Sequence, residues 1–161
     1  MDYTLIFGLA NLSVLPLRFL IILLPHWSIT RRIIGSPLVA LVPATIYLVL
    51  VGPQIATLLS AVSNPSLSSI TTLLATPAGA TIAWAHFLAF DLLVGRWVYL
   101  DVRERGISAL LMAPVLFLTF MLGPIGYLSY LGLRAGAALF TEVRSQESGV
   151  RMPNQEPKTK N

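Results

Sequence analysis

Residues 33–90 constrain this chain most, because they contain no Asp, Glu, Lys or Arg. A helix needs about 20 apolar residues to cross the hydrocarbon core of a bilayer, so this run is long enough for two crossings joined by a polar turn. Hydrophobic residues make up 55% of the chain and charged residues 11%, well below the roughly 25% charged residues of soluble domains. The sequence therefore predicts an integral membrane protein that crosses the bilayer several times.

Apolar segments of helical length predict four crossings, at about residues 3–24, 37–59, 78–100 and 107–133. Between the second and third of them, Ser63-Asn64-Pro65 has the pattern of a helix start, which predicts a short helix lying in the membrane interface. We therefore expect an all-α membrane protein. Residues 1–135 would form a bundle of four transmembrane helices, and residues 136–161 a polar, disordered C-terminal tail.

Composition and motifs exclude several classes of function. The chain has no cysteine, which excludes disulfides and thiolate metal sites. The sequence contains no phosphate-binding glycine loop, no zinc-ligand spacing and no hydrolase nucleophile elbow, and we expect neither a metal nor another cofactor. The formal net charge is +4, but no basic stripe with interleaved aromatic residues accompanies it. This pattern favours anionic lipid headgroups over nucleic acid as a partner.

The third predicted span carries three polar side chains that are costly inside a bilayer, namely His86, Asp91 and Arg96. A central Asp or Arg costs roughly 2.5–3.5 kcal/mol, so such residues are usually paired or used. His86 and Asp91 are five positions apart, as are Asp91 and Arg96, which separates each pair by about 140° around the helix axis. Side chains pair on one helix when they are three or four positions apart, so we expect the partners of these residues on other helices.

Other spans contribute further candidates. Arg18 in the first span either extends to the membrane interface or faces inward as a partner of Asp91. Tyr47 in the second span is typical of a packing tyrosine. In the fourth span, Gly123-Pro124-Ile125-Gly126 predicts a kink, with Gly123 and Tyr127 on one face around the break. That face is either the wall of a pocket or a site of close helix packing.

A larger set of residues resembles the abscisic-acid-deficient-four-like family, whose plant members are plastid membrane proteins needed for neoxanthin synthesis. The motifs that carry the resemblance are Pro25-His26-Trp27, then Trp84-x-His86-Phe87-Leu88-Ala89-Phe90-Asp91-Leu92-x-x-Gly95-Arg96-Trp97, then Phe120-Met121-x-Gly123-Pro124-x-Gly126, and Arg134. The resemblance spans about residues 5–135. No transit segment precedes the first span, so we expect a cyanobacterial relative in a thylakoid or plasma membrane.

The resemblance implies rearrangement of a 5,6-epoxy-carotenoid to an allene, a reaction that needs an acid for the epoxide oxygen and a base for a polyene proton. Asp91 is the candidate acid and His86 the candidate base. Because these two lie on different helix faces, Tyr127 or Tyr47 is an alternative base. The candidate substrate-binding residues are Trp84, Arg96, Gly123, Pro124, Tyr127, Tyr47 and Arg18.

Two other readings stay open at this point. In one, the protein binds a carotenoid and supports a pigment complex or a partner protein without catalysing a reaction. In the other, Asp91 forms an interhelical ion pair with Arg18 or Arg96 that only fixes the bundle. Both the catalytic and the binding reading predict a carotenoid or another hydrophobic small molecule as ligand, with membrane lipids around the chain.

The arginines of the sequence give conflicting predictions of the membrane orientation. Arg31 and Arg32 in the first connector and Arg103 and Arg105 in the third favour connectors inside and both termini outside. The arginines that follow the fourth predicted span argue for the opposite orientation; they are Arg134, Arg144 and Arg151.

Overall fold

The structure is a computed structural model that describes the backbone of residues 1–150 and the side chains of residues 1–139. All regular elements in this part are helical, which confirms the all-α expectation. The α-helices are α1 (Tyr3–Leu23), α2 (Ser28–Gly35), α3 (Leu41–Val51), α4 (Ile55–Ser63), α5 (Leu67–Leu74), α6 (Pro77–Glu104), α7 (Ala109–Leu122) and α8 (Pro124–Val150). Short 3-10 turns precede α3 at Pro37–Ala40 and α4 at Gly52–Gln54.

Three helical segments of the described chain are long and apolar enough to cross a membrane. They are Tyr3–Leu23, Pro37–Ser63 and Pro77–Glu104, at the places where the first three spans were predicted. The second consists of α3 and α4 with their 3-10 turns, and Pro53 lies in the turn between them. A proline cannot donate the hydrogen bond of a regular helix, which explains this local tightening. These segments indicate a membrane protein.

Helix α6 is the centre of the fold, because it packs against α1, α3 and α7. Its buried face includes Ala85, Leu88, Leu92 and Val98. The small residue Gly95 allows the ring of Phe120 on α7 to pack directly against the α6 backbone, where a methyl group would overlap the ring. Large apolar side chains such as Phe19 on α1 are exposed on the outside of the bundle, as expected for a surface that faces lipid.

The short helices differ from expectation in part. Helix α5 lies between the second and third spans as predicted, but it begins at Leu67 because a capping box joins Ser66 and Ser69. Helix α2 was not predicted at all. It contains Arg31 and Arg32, which are both exposed. Ile34 of the same helix is fully buried.

The predicted fourth span, residues 107–133, is not a single crossing. Helix α7 has 14 residues and is about 21 Å long, less than the roughly 30 Å of a bilayer core. The helix ends at Gly123, whose φ of +30° lies in the region that only glycine adopts readily, and Pro124 begins α8. A methyl group at Gly126 would overlap the backbone of Thr119. Residues seven apart in one continuous helix are about 10 Å apart along the axis, so the chain reverses at Gly123.

The contacts of α8 show where it goes after the reversal. Gly123 lies beside Asp91, the rings of Tyr127 and Tyr130 contact Trp97, and Arg134 approaches Asp101. Successive residues of α8 thus contact successive residues of α6 in the same order, so the two helices run in the same direction here. Residues 109–139 therefore form a helical hairpin, the α7–α8 hairpin, which returns to the end of the bundle from which it starts.

This reversal changes the expected distribution of charge. Arg134 lies at the same end as Arg103 and Arg105, which resolves its disagreement with the connector arginines. Helix α8 continues to Val150, so the boundary expected between residues 135 and 136 falls inside a helix. Residues 151–161, the remainder of the predicted disordered tail, lie outside the described residues.

Candidate functional site

An ion pair between Arg18 of α1 and Asp91 of α6 lies where α1, α6 and α7 meet. The distance from Arg18 Nη2 to Asp91 Oδ2 is 3.7 Å, and the two side chains are 16% and 25% exposed. The Arg18 guanidinium also lies 5.2 Å from the centre of the Phe120 ring on α7, a cation–π contact. Of the two positions left open for Arg18 by the sequence, the structure has the inward-facing one.

The chain reversal of the hairpin lies directly beside this ion pair. A Cβ atom at Gly123 would be 3.2 Å from Asp91 Oδ1, so a side chain here would crowd the carboxylate, and the backbone conformation itself favours glycine. Pro124 follows as the first residue of α8. Arg18 Nε is buried and has no hydrogen-bond partner among the described residues. Arg18 therefore retains hydrogen-bonding capacity that no side chain within residues 1–139 uses.

A groove of about 250 Å³ runs between α1 and α7 and has Arg18 in its wall. Apart from Arg18 and Asn11 its lining is apolar, and the full set of lining residues is Asn11, Val14, Leu15, Arg18, Phe19, Ile22, Phe117, Phe120 and Met121. Several of these side chains, among them Phe19 and Phe117, are more than half exposed on the outer surface of the bundle. A lipid-soluble molecule can therefore reach the groove from the side.

Trp84 is connected to the same groove through Asn11. Its indole Nε1 donates a hydrogen bond of 3.1 Å to Asn11 Oδ1, and its ring stacks on Phe7 at 5.6 Å. Asn11 and Arg18 are seven residues apart on α1, which places them on one face at a separation of about 10 Å along the axis. The groove thus has one polar group towards each end and apolar side chains between them.

His86 lies on a different face of α6, towards α3. Its ring contacts Tyr47 at 5.4 Å and stacks on Phe90 at 4.5 Å. The two proposed catalytic residues therefore have separate surroundings, because Asp91 faces α1 and the hairpin. Tyr47 accompanies His86 and is likewise not part of the groove lining.

Arg96 is occupied by backbone carbonyl groups at the end of α2. Its Nε donates to the carbonyl oxygens of Ile34 at 2.8 Å and Ser36 at 3.2 Å, and its Nη2 donates to Gly35 at 2.7 Å. A cation at the C-terminal end of a helix is favourable because the last carbonyl groups have no partner within the helix. These contacts account for an arginine within the third span. They were missed because α2 itself was not predicted.

A family model described as ABA DEFICIENT 4-like matches residues 5–130 of the chain, which include the ion pair, the whole groove and the start of α8. The chain belongs to this family. No curated protein and no solved structure matches it. The resemblance inferred from the motifs is therefore confirmed, and the ABA DEFICIENT 4-like chain is a member of a family related to neoxanthin synthesis.

The chain has a second acidic centre that the sequence analysis did not identify. Asp101 near the end of α6 accepts a short hydrogen bond from the hydroxyl of the fully buried Tyr130. Arg105 Nε lies 2.6 Å from Asp101 Oδ2, and Arg134 Nη1 lies 4.0 Å from Oδ1. Of these contacts, only that between Asp101 and Arg105 has a signal in the sequence, because residues four apart on one helix lie side by side. The hydrogen bond to Asp101 raises the pKa of Arg105 above its usual value.

The rings of Tyr127 and Tyr130 extend this centre along α8. Tyr127 lies 5.7 Å from Trp97 and 6.2 Å from Tyr130, between ring centres. Tyr127 therefore belongs to the α7–α8 hairpin but is not part of the groove lining. Within residues 1–139, no group of three His, Asp or Glu side chains is placed to hold a metal ion.

Proposed function

We propose that the groove between α1 and α7 binds the end ring of a 5,6-epoxy-carotenoid and that the Arg18–Asp91 pair rearranges the epoxide to an allenic alcohol. The observation that supports this most is an ion pair whose arginine, Arg18, lines an apolar groove that opens towards lipid, with Asp91 directly behind it. Polar groups inside a membrane protein are commonly parts of a substrate or ion pathway. Membership in a family related to neoxanthin synthesis supports a carotenoid as the ligand.

The size of the groove supports binding of one end of the molecule. Pockets that enclose a whole drug-sized ligand have about 300–1,000 Å³, and this groove has about 250 Å³. A substituted six-membered ring fits such a volume, whereas a complete carotenoid does not. The polyene would extend along exposed apolar side chains such as Phe19 and Leu15, in contact with the bilayer.

The reaction requires only proton transfers. A base takes a proton from the polyene carbon next to the ring, and the electrons of that C–H bond form the second double bond of the allene. At the same time the adjacent ring carbon–oxygen bond breaks. The oxygen stays on the other ring carbon and takes up one proton as a hydroxyl group. Substrate and product are isomers, so the reaction requires no oxidant or reductant.

Arg18 and Asp91 have different roles in this proposal. Arg18 lines the groove and has an unpaired buried N–H group, so it would donate a hydrogen bond to the epoxide oxygen and stabilise its developing negative charge. Asp91 would carry the proton. One proton leaves carbon and one reaches oxygen, so a single carboxyl group is sufficient for both transfers. We base the proposal on this pair and not on His86, which packs among aromatic rings on the α3 side.

The test is turnover by the purified full-length protein in lipid vesicles that contain a 5,6-epoxy-carotenoid. The wild-type protein should produce the allenic isomer, measured by chromatography of the extracted pigment. Asp91→Asn and Arg18→Gln should remove this activity while binding of the pigment is retained. Glu104→Gln is the matched control for Asp91→Asn, because it changes an exposed carboxylate of the same helix to an amide.

The outcomes separate the alternatives. If the wild-type protein retains the pigment without converting it, a non-catalytic carotenoid-binding role is supported instead. If Asp91→Asn converts as fast as the wild-type protein, Asp91 has no part in the reaction. Activity would place the protein in a carotenoid-containing membrane, such as a thylakoid or plasma membrane.

A further inference from the structure

A second cavity lies at the arginine-rich end of the bundle, away from the groove. It has about 350 Å³ and is enclosed by the α1–α2 connector, the end of α6 and the start of α7. The lining residues are Pro25, His26, Tyr99, Val102, Arg103, Gly106, Ile107, Ser108, Ala109, Met112 and Leu116. Neither Arg18 nor Asp91 is among them, so nothing in the proposed carotenoid chemistry accounts for this cavity.

The cationic wall of the cavity is held in place by three contacts. Arg103 Nη1 donates to the carbonyl oxygen of Pro25 at 3.3 Å, and the hydroxyl of Tyr99 donates to the same oxygen at 2.8 Å. The Arg103 guanidinium also lies 5.6 Å from the centre of the Tyr99 ring. An arginine fixed in this way loses less conformational entropy when it binds a ligand than a free surface arginine does.

The charges around the cavity favour an anion. His26 adds hydrogen-bonding nitrogens to the wall beside Arg103, and the Ser108 side chain does not cap the N-terminus of α7. Asp101 is engaged by Tyr130, Arg105 and Arg134 and therefore does not neutralise Arg103. Glu104 is exposed and is not part of the lining.

The inner wall of the cavity is apolar and well packed. Val102, Met112 and Leu116 belong to the buried core of the bundle, whereas Ile107 and Ala109 are partly exposed and offer apolar surface to a ligand. A free inorganic anion would gain nothing from this surface. An amphipathic anion would place its charged group near Arg103 and its apolar chain along the wall.

We propose that this cavity binds one phospholipid with an anionic headgroup, such as phosphatidylglycerol. The phosphate lies against Arg103 and the start of α7, and one acyl chain begins along Ile107 and Ala109. This inference is independent of the carotenoid proposal. It requires only that the arginine-rich end lies at the level of lipid headgroups, where basic side chains attract anionic lipids.

The test measures retained lipid on the full-length protein. The protein is purified in detergent, exchanged into mixed micelles of dioleoyl-phosphatidylglycerol and dioleoyl-phosphatidylcholine in equal amounts, and analysed by native mass spectrometry. The expected result is one retained phosphatidylglycerol per chain in preference to phosphatidylcholine. Arg103→Gln should reduce this preference about fivefold, the effect of removing one basic residue near a headgroup.

Two further variants make the result specific. Arg32→Gln removes an exposed arginine of α2 that does not line the cavity, and it should leave the preference unchanged. Ala109→Phe fills the cavity and removes no charge, and it should abolish retention even if Arg103→Gln does not fold. An equal loss in Arg32→Gln and Arg103→Gln would overturn the proposal in favour of general surface attraction. Displacement of the lipid by inorganic phosphate alone would overturn it in favour of a simple anion site.

Discussion

Helix α6 carries two aspartates ten residues apart, and their surroundings are very different. Asp101 accepts hydrogen bonds from Tyr130 and Arg105 and has Arg134 at 4.0 Å. Asp91 has Arg18 at 3.7 Å and lies beside Gly123. A carboxylate with several fixed partners holds elements together, whereas one with a single, more distant partner next to a groove keeps capacity for a ligand. The comparison separates a centre that joins α6 to the hairpin from the one to which we assign the proposed chemistry.

The comparison depends first on the return of α8 to the end of the bundle where Asp101 lies. The side of the membrane at which α8 ends can be tested with a yes-or-no result. The chain contains no cysteine, so single cysteines can be introduced and labelled with a membrane-impermeant maleimide. Arg32→Cys and Ala138→Cys should be labelled from the same side of a sealed vesicle, and Leu67→Cys from the other side. The positive-inside rule predicts that the shared side is the cytoplasmic one. If positions 138 and 67 are labelled from the same side, the chain crosses the membrane a fourth time and the hairpin is wrong.

The two aspartates should separate activity from stability. Asp91→Asn should reduce carotenoid conversion by about 100-fold or more, the usual contribution of a proton-transferring group, with little change in thermal stability. Asp101→Asn should lower the thermal stability, but each folded molecule should still convert pigment. Initial rates per folded protein and the midpoint of thermal unfolding in detergent measure both quantities. Loss of stability in Asp91→Asn together with unchanged rates would leave Asp91 a purely structural residue.

The close approach of the two hairpin helices should be sensitive to a single methyl group. Gly126→Ala forces that group into the backbone of Thr119 and should cost about 3 kcal/mol of unfolding free energy. Gly132→Ala on the same helix is the matched control, because its methyl group meets open space. Thermal unfolding of both variants in one detergent measures the difference. Equal midpoints would mean that the helices do not pack this closely.

The smallest expected effect concerns the hydrogen bond between Tyr130 and Asp101. Tyr130→Phe keeps the buried ring and removes only the hydroxyl, so it should cost about 1.5 kcal/mol. Tyr127→Phe serves as the comparison, since the structure places the Tyr127 ring against Trp97 and Tyr130. If both substitutions have the same effect on the unfolding midpoint, Asp101 is held by its arginines alone.

Local chemistry in the sequence determined the three long spans and the family. The charge-free run and the apolar segments predicted α1, the α3–α4 segment and α6 within a few residues, because a bilayer requires a fixed length of apolar helix. The Trp84–Trp97 motif indicated the family, and the five-residue spacing correctly showed that His86, Asp91 and Arg96 do not pair with one another. Gly123 and Pro124 also marked the break in the fourth apolar segment.

The tertiary structure decided which groups meet across helices. The spacing of two residues in the sequence gives only the angle between their side chains around the axis of their own helix. It does not show that the break at Gly123 is a full reversal, which depends on how closely Gly126 packs on Thr119. Nor does it show that Arg18 turns inward to Asp91 while Arg96 is occupied by the end of α2. These choices depend on the positions of neighbouring helices, so one helix read alone cannot determine them.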